Sequence, residues 1–269
     1  VGIALTRWSA TKLPEVHLLP RVEIRVVPTR FDGFAIRMSG GQIFRPPTFA
    51  DRYWVPGGNP DLLSETGWAA DAGIQILRSS EKNSLEFTAS LFSSTLYNKI
   101  VWFPSFGGSS VQIWTPINVG IVNGFGGESS LDLVLGLGRT ARVEMSVLLS
   151  ISRSEDRTNS LTQSYGHQLR YVPQNNVKAN LGFVQHPFAI ETAFESVSER
   201  FLSSDERFSL PSYRTLALRA SYRFRLKKGE LAVHFSAENL ANQAYEHIRF
   251  YPMPPRHLSF AIRFTNKYP

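Results

Sequence analysis

The sequence predicts an all-β protein, an antiparallel up-and-down β-barrel portion of about twelve strands that crosses a membrane. Three observations carry this. Apolar and polar residues alternate with period two through most of the chain, and no window of 11–18 residues shows a helical period. Several alternating segments reach ten residues or more, whereas strands of water-soluble proteins usually have about five or six and membrane-crossing strands need about 9–11. The connections are short and long in turn, as in outer-membrane barrels, whose periplasmic turns are short and whose outer loops are long.

The expected strands are 1–8, 19–28, 33–41, 67–78, 84–100, 118–134, 140–153, 176–184, 188–199, 212–226, 231–239 and 257–264. The clearest begins at Ala141: Ala141, Val143, Met145, Val147, Leu149 and Ile151 share one face, and Arg142, Glu144, Ser146, Leu148, Ser150 and Ser152 the other. The strand over 212–226 repeats it, with Leu216, Leu218, Ala220, Tyr222 and Phe224 opposite Ala217, Arg219, Ser221, Arg223 and Arg225. In the last strand Leu258, Phe260, Ile262 and Phe264 oppose Ser259, Ala261 and Arg263. Short turns are expected at 29–32, 79–83, 135–139, 185–187 and 227–230, and long connections at 9–18, 42–66, 101–117, 154–175, 200–211 and 240–256. With this phase the last strand runs toward the periplasm. Val143, Val147, Leu218, Phe224, Phe260 and Ile262 are expected to face lipid. Arg142, Glu144, Arg219 and Arg223 are expected to face the lumen. A soluble β-sandwich also alternates apolar and polar faces and stays open on alternation alone. Aromatic residues near strand ends favour the barrel, being placed as interfacial girdles: Trp8, Trp68, Tyr97, Trp102 and Trp114 on the long-loop side, Tyr222, Phe224 and Phe264 on the other.

Composition removes several function classes. The 269 residues contain no cysteine, which rules out disulfides, thiolate metal sites and a thiol nucleophile. No run of about 18 apolar residues suits a transmembrane helix. The net charge of +7 is scattered along the strands, its densest pair being Lys227-Lys228, which argues against nucleic acid as a partner. Val1–Leu5 has no signal-peptide features and reads as the middle of a strand, so Val1 is expected not to begin the natural gene product. The six histidines show no HxH or HxxxH spacing, and no nucleophile elbow or phosphate-binding glycine motif occurs. Neither a metal site, a cofactor nor an enzyme is expected. Glu155-Asp156 and Asp205-Glu206 offer oxygen ligands of the kind calcium takes, but read better as solvated acidic loops.

Four segments, in order, resemble motifs of TonB-dependent outer-membrane receptors. Phe44-Arg45-Pro46-Pro47-Thr48-Phe49 is similar to "FRxPT", and Gly58-Asn59-Pro60-Asp61-Leu62-Leu63-Ser64-Glu65 to "GNPxLxxE". Asn118 followed by Gly126-Gly127-Glu128 resembles "N…GxE". Glu238-Asn239-Leu240-Ala241-Asn242-Gln243-Ala244-Tyr245 resembles "xNLxxxxY", with Pro254-Pro255-Arg256 in the place of "PGR". The resemblance implies that residues 1–269 are the C-terminal portion of such a barrel, without the plug domain. It implies uptake of a scarce chelate, a ferric siderophore or cobalamin, in the outer membrane of a Gram-negative bacterium. The implied partners are outer-membrane lipid, the TonB complex acting through the plug, the chelate and the insertion machinery. Ligand would be met by Arg45, Tyr53, Trp54, Trp102, Trp114, Arg249 and Tyr251, since aromatic faces and guanidinium groups suit large, flat, often anionic chelates. Trp102 and Trp114 also read as membrane-interface anchors, whereas Tyr53 and Trp54 lie mid-loop. Pro46 and Pro47 remove ladder donors and end a strand. A self-contained small barrel, porin or enzyme, is the alternative on the same strand pattern.

Overall fold

A computed structural model describes residues 2–8, 15–105 and 113–266, with the backbone alone for 2–8, 15–17 and 105. The strands in chain order are β1 (Gly2–Trp8), β2 (Glu15–Val26), β3 (Phe34–Arg45), β4 (Glu65–Ser79), β5 (Ser84–Ser105), β6 (Ile113–Leu137), β7 (Ala141–Asp156), β8 (Asn175–Gln185) and β9 (Phe188–Val197). They continue as β10 (Arg200–Phe201), β11 (Ser209–Leu210), β12 (Tyr213–Leu226), β13 (Gly229–Glu238), β14 (Glu246–Ile248), β15 (Tyr251–Pro252) and β16 (His257–Asn266). One short helix, α1 (Phe49–Tyr53), follows β3. Twelve strands form one antiparallel sheet of sequential neighbours, from β1 at one edge to β16 at the other, and these edges do not pair with each other. The pairs β10–β11 and β14–β15 are separate small hairpins within long connections.

The register turns the alternation into two faces. Leu135, Val143, Phe183, Ile190, Ala220, Phe235 and Phe260 form one continuous cross-strand row. The row one residue away is Val134, Glu144, Gly182, Glu191, Arg219, Ser236 and Ser259. In the first half of the sheet Val26, Ile36, Ile74, Ala89, Ser129 and Leu149 oppose Arg25, Arg37, Gly73, Ser90, Glu128 and Ser150. A one-residue slip of any strand would exchange its faces, so the register is fixed along the whole sheet.

Among the described residues no second layer covers the apolar face. Leu91 is 71% exposed and Phe260 65%. A sandwich would bury these side chains, since water-exposed apolar patches rarely exceed a few hundred Å². The soluble-sandwich alternative therefore fails, and the fold is a membrane-barrel sheet. Trp68, Tyr97, Tyr222, Phe224 and Phe264 are exposed side chains of this sheet; Trp8 lies where only backbone is described.

Several boundaries move. Much of the expected connection over 101–117 is strand: β5 and β6 stay paired through Val101↔Ile117, Trp102↔Pro116 and Pro104↔Trp114. Pro104 and Pro116 lie within it, but each removes only one ladder donor, and the neighbouring pairs carry the ladder past them. The connections over 42–66, 200–211 and 240–256 hold α1 and the small hairpins, elements too short to show a period. Buried apolar side chains gather where these connections fold: Leu62, Ile100, Val122, Leu169, Val197 and Leu210.

Candidate functional site

The connection from β3 to β4 is built by its motif residues. Pro46 and Pro47 carry no N–H, so the β3 ladder stops at Arg45. Thr48 then caps α1. Its hydroxyl accepts from the Asp51 amide at 3.1 Å, while the Asp51 carboxylate accepts from the Thr48 amide at 2.8 Å, a reciprocal capping box. Asp51 also accepts from the Trp102 indole at 2.9 Å, and Arg45 stands 3.7 Å from it. Arg45 is paired with Glu65 at 2.5 Å, and Glu65 accepts from the Ile100 amide at 2.6 Å. Both carboxylates are buried. Burial opposes the ionised form of Asp51, but the Thr48 amide and hydroxyl, the Trp102 indole and Arg45 together outweigh it and hold this carboxyl below the usual aspartate range.

The second motif presses the returning chain onto β6. A Cβ on Gly57 would sit 1.9 Å from the Trp114 carbonyl oxygen, so only glycine allows that approach. The Asn59 side chain donates to the Pro116 carbonyl at 3.2 Å and accepts from the Asp61 amide at 3.0 Å. Asn118 accepts from the Leu63 amide at 2.8 Å and donates to the Leu63 and Asn98 carbonyls at 3.0 and 2.7 Å. Its amide thus does for Leu63 what a neighbouring strand would do. With the underside fastened, the outer side of this connection is apolar and uncovered. Phe49 is 80% exposed and Trp54 61%, Tyr53 lies beside them, and the Phe49 and Tyr53 rings are 4.8 Å apart.

A chain of ring contacts leads away from this knuckle. The Trp114 ring lies 5.4 Å from Tyr171. Tyr171 has a left-handed backbone, φ 61°, and its amide donates to the Phe201 carbonyl at 2.9 Å. Burial pushes the Tyr171 hydroxyl up, against the Arg249 main chain that hydrogen-bonds to it. The Arg249 guanidinium lies over Phe250 at 4.8 Å. Six of the seven expected ligand residues are therefore connected: Arg45 and Trp102 through Asp51, Tyr53 and Trp54 on α1 and its end, Trp114 against Gly57, and Arg249 through Tyr171. Tyr251 is the exception. It is exposed, opposite Ile248 in the β14–β15 hairpin, and makes none of these contacts.

Two expectations need correction. The anchor reading of Trp102 and Trp114 does not fit, because the Trp102 indole is committed to buried Asp51 and the Trp114 ring lies against Tyr171, while its carbonyl faces Gly57. Glu155 is not a solvated acid: it is buried, with Arg153 at 2.6 Å and Arg157 also paired to it. Glu206 accepts from the Gln168 amide at 2.7 Å and lies 3.4 Å from His167. No group of three potential metal ligands occurs among the described residues.

The connection from β13 to β16 is fastened differently. Asn239, with φ 48°, donates to the Gln243 and Pro254 carbonyls at 2.9 and 3.3 Å and accepts from the Gln243 amide at 3.0 Å. Asn242 accepts from the Arg256 amide at 2.9 Å. Tyr245 stacks on Tyr213 at 4.4 Å, and the Tyr213 hydroxyl is 3.1 Å from His247 Nε2. Buried Arg200 donates to the carbonyls of Glu246, Pro211 and His247 at 3.0, 3.4 and 3.5 Å. The sequence reading missed Arg200 and Tyr213, which carry no local signal. It also missed Asp51, whose place three residues after Thr48 before an aromatic is a readable capping pattern.

On the polar face, Arg142 pairs with Glu144, and Arg219 with Glu238 at 3.1 Å and Glu191 at 3.5 Å. Arg37 donates to Gln75, which donates to Glu86 at 3.1 Å. Arg223 lies two residues beyond Ser221 on the same face, opposite Ala232.

Comparison with known proteins agrees with this architecture. The chain resembles the copper transporter OprC with a TM-score of 0.67 at 16% identity, covering 93% of this chain and 41% of that one. It resembles BauA, the ferric preacinetobactin receptor from Acinetobacter baumannii, with a TM-score of 0.64 at 15% identity over 94% of this chain and 37% of that one. In sequence it is 33% identical over 81 residues to the vitamin B12 transporter BtuB of Vibrio vulnificus (strain YJ016), which is 30% of this chain and 12% of that protein. The chain thus spans well under half the length of these relatives. The model of the β-barrel domain of TonB-dependent receptors matches residues 5–240, and members of that family are outer-membrane transporters of Gram-negative bacteria rather than enzymes. With the motif residues doing the structural work described above, this chain belongs to the TonB dependent receptor-like β-barrel family.

Proposed function

We propose that residues 1–269 form the C-terminal portion of the barrel of an outer-membrane receptor that takes up a scarce, large nutrient, a ferric siderophore, cobalamin or a similar chelate, with energy supplied by TonB through a plug domain in the lumen. The observation that carries the reading is the exposed aromatic knuckle of Phe49, Tyr53 and Trp54, held rigid from beneath by Asp51, Glu65 and Asn118 at the long-connection end of a two-faced sheet. Large aromatic side chains on a pre-organised base bind flat ligands at low entropic cost.

The two faces support the setting. The apolar face suits outer-membrane lipid, where a charged residue at the midplane costs roughly 2–4 kcal/mol. The charged face, with Arg142, Glu144, Arg219 and Arg223, then lines the lumen, where a plug meets it. The edges β1 and β16 present unpaired main-chain groups, each costing several kcal/mol in lipid; further strands of the receptor satisfy them. Assembly of such a barrel calls on the cell's insertion machinery.

The test is the double variant Tyr53→Ala/Trp54→Ala in the full-length receptor. Uptake of ferric siderophore or cobalamin at limiting concentration should weaken about tenfold or more, the scale of losing two aromatic anchors, with unchanged outer-membrane assembly. Unchanged uptake would remove this knuckle from the binding site. Uptake that persists after collapse of the proton-motive force would remove TonB from the proposal.

A further inference from the structure

A cleft of about 280 Å³ lies between β6 and the connection that follows β7; it shares Asn118 with the base of the knuckle, and the uptake reading assigns it no role. One wall is a strand edge. β7 pairs with β6 as far as Val122↔Asp156. Just beyond, the Ile121 carbonyl takes the Arg157 amide at 2.8 Å and the Ile121 amide donates to Thr158 Oγ1 at 3.0 Å. Because main-chain groups of a strand alternate sides, the next pair on that edge belongs to Val119, which lines the cleft.

The opposite wall carries Arg170. Its guanidinium carbon lies 4.3 Å from the centre of the Phe103 ring, its Nε is buried without a hydrogen-bond partner, and it makes no ion pair among the described residues. Most other guanidinium groups near these connections, on Arg45, Arg153, Arg157 and Arg200, are committed to protein acceptors. The Phe103 ring confines the Arg170 guanidinium from one side, and the neighbouring Tyr171 holds a left-handed backbone that non-glycine residues adopt at a cost. A guanidinium confined in this way and left without an acceptor fits a bidentate oxyanion. The remaining walls hold Thr158, Ser164 and Thr162, the last already donating to the Asn159 carbonyl at 2.7 Å, and Asp156, which already accepts from the Thr158 amide at 2.8 Å. A second carboxylate is unsuited to a bare anion but suited to ligand hydroxyls. We propose that this cleft binds a hydroxylated carboxylate about the size of one sugar ring, with its carboxylate on Arg170 and its hydroxyls toward Asp156 and the Val119 main chain.

None of Phe49, Tyr53 and Trp54 lines the cleft, so failure here leaves the uptake reading untouched. The test is a saturation-transfer titration of the intact receptor in detergent with glucuronate and with glucose, inorganic phosphate being added as a competitor of glucuronate. Glucuronate should bind at least tenfold more tightly than glucose or phosphate. Arg170→Met, which keeps a stem over Phe103, should weaken glucuronate at least tenfold. The Leu169 amide, bonded to the Ser154 carbonyl at 2.8 Å, reports by hydrogen exchange whether the connection stays folded. Should it loosen in the methionine variant, Arg170→Lys decides, since it keeps the charge and loses the fork; unchanged affinity there overturns the proposal. Glucose bound as well as glucuronate, phosphate displacing glucuronate at equal concentration, or no transfer to glucuronate overturns it too.

Discussion

The two motif-bearing connections of this barrel end are fastened by different chemistry. The one between β3 and β4 hangs on buried carboxylates, Asp51 and Glu65, with Arg45 and the Trp102 indole around them. The one between β13 and β16 hangs on neutral amides, stacked rings and one buried guanidinium that collects carbonyls. The difference teaches that a shared family pattern of short motifs does not imply a shared mode of anchoring. One connection depends on charge and on the ionised state of Asp51, the other on main-chain acceptors that do not titrate.

The largest effect should come from Glu65→Ala, which leaves the Ile100 amide and Arg45 without their acceptor. Removing one partner of a buried set costs roughly 2–4 kcal/mol. Hydrogen exchange at Ile100 and Asn59 should accelerate strongly, while the Gln243 amide should keep its protection. Loosening of both connections together would show one cooperative unit and break the comparison. Arg200→Met should do the reverse, at about 1–3 kcal/mol for the orphaned carbonyls, exposing the connection after β13 to protease and sparing the knuckle. Gly57→Ala should displace the β3–β4 connection from Trp114, at about 1–3 kcal/mol, read as faster exchange at Asn59 and Leu63 with the β5–β6 ladder intact.

Acid should separate the two connections with the smallest effect. The Asp51 carboxyl is held below its usual range. Its contribution to stability is complete above the ordinary aspartate pKa and is lost as pH falls through the lower folded value. Exchange at Asn59, whose amide donates to the Asp51 carbonyl at 2.9 Å, should quicken between the unfolded and folded aspartate values after correction for intrinsic rates, and Gln243 should not follow. Equal acid response at both amides would refute the contrast.

The strands were legible because period-two alternation is a direct image of the pleat. The faces from Ala141 to Ser152 and from Leu216 to Arg225 follow residue by residue. The ends of β5 and β6 were not legible, since Pro104 and Pro116 break the local pattern without breaking the pairing. At the candidate site the motifs were visible as letters, but their partners were not. Asp51 and Trp102 stand 51 positions apart, Asn118 and Leu63 stand 55 apart, and no local pattern joins them. Arg200 reaches Glu246 across 46 positions. Long-range acceptors of this kind exist only once the sheet has set the register.

The lengths of β5 and β6 carry a mechanical consequence. With 22 and 25 residues they hold about twice the number a bilayer crossing needs. At about 3.4 Å per residue, the proposed membrane setting leaves some 35 Å or more of ribbon clear of the bilayer at the long-connection end. In that setting anything bulky approaching from outside, an antibody or a phage tail, would collide with this mast before it reached the mouth. The same stiffness makes the mast a poor place for an inserted epitope within the ladder, because a single added residue there would turn its remaining side chains inside out.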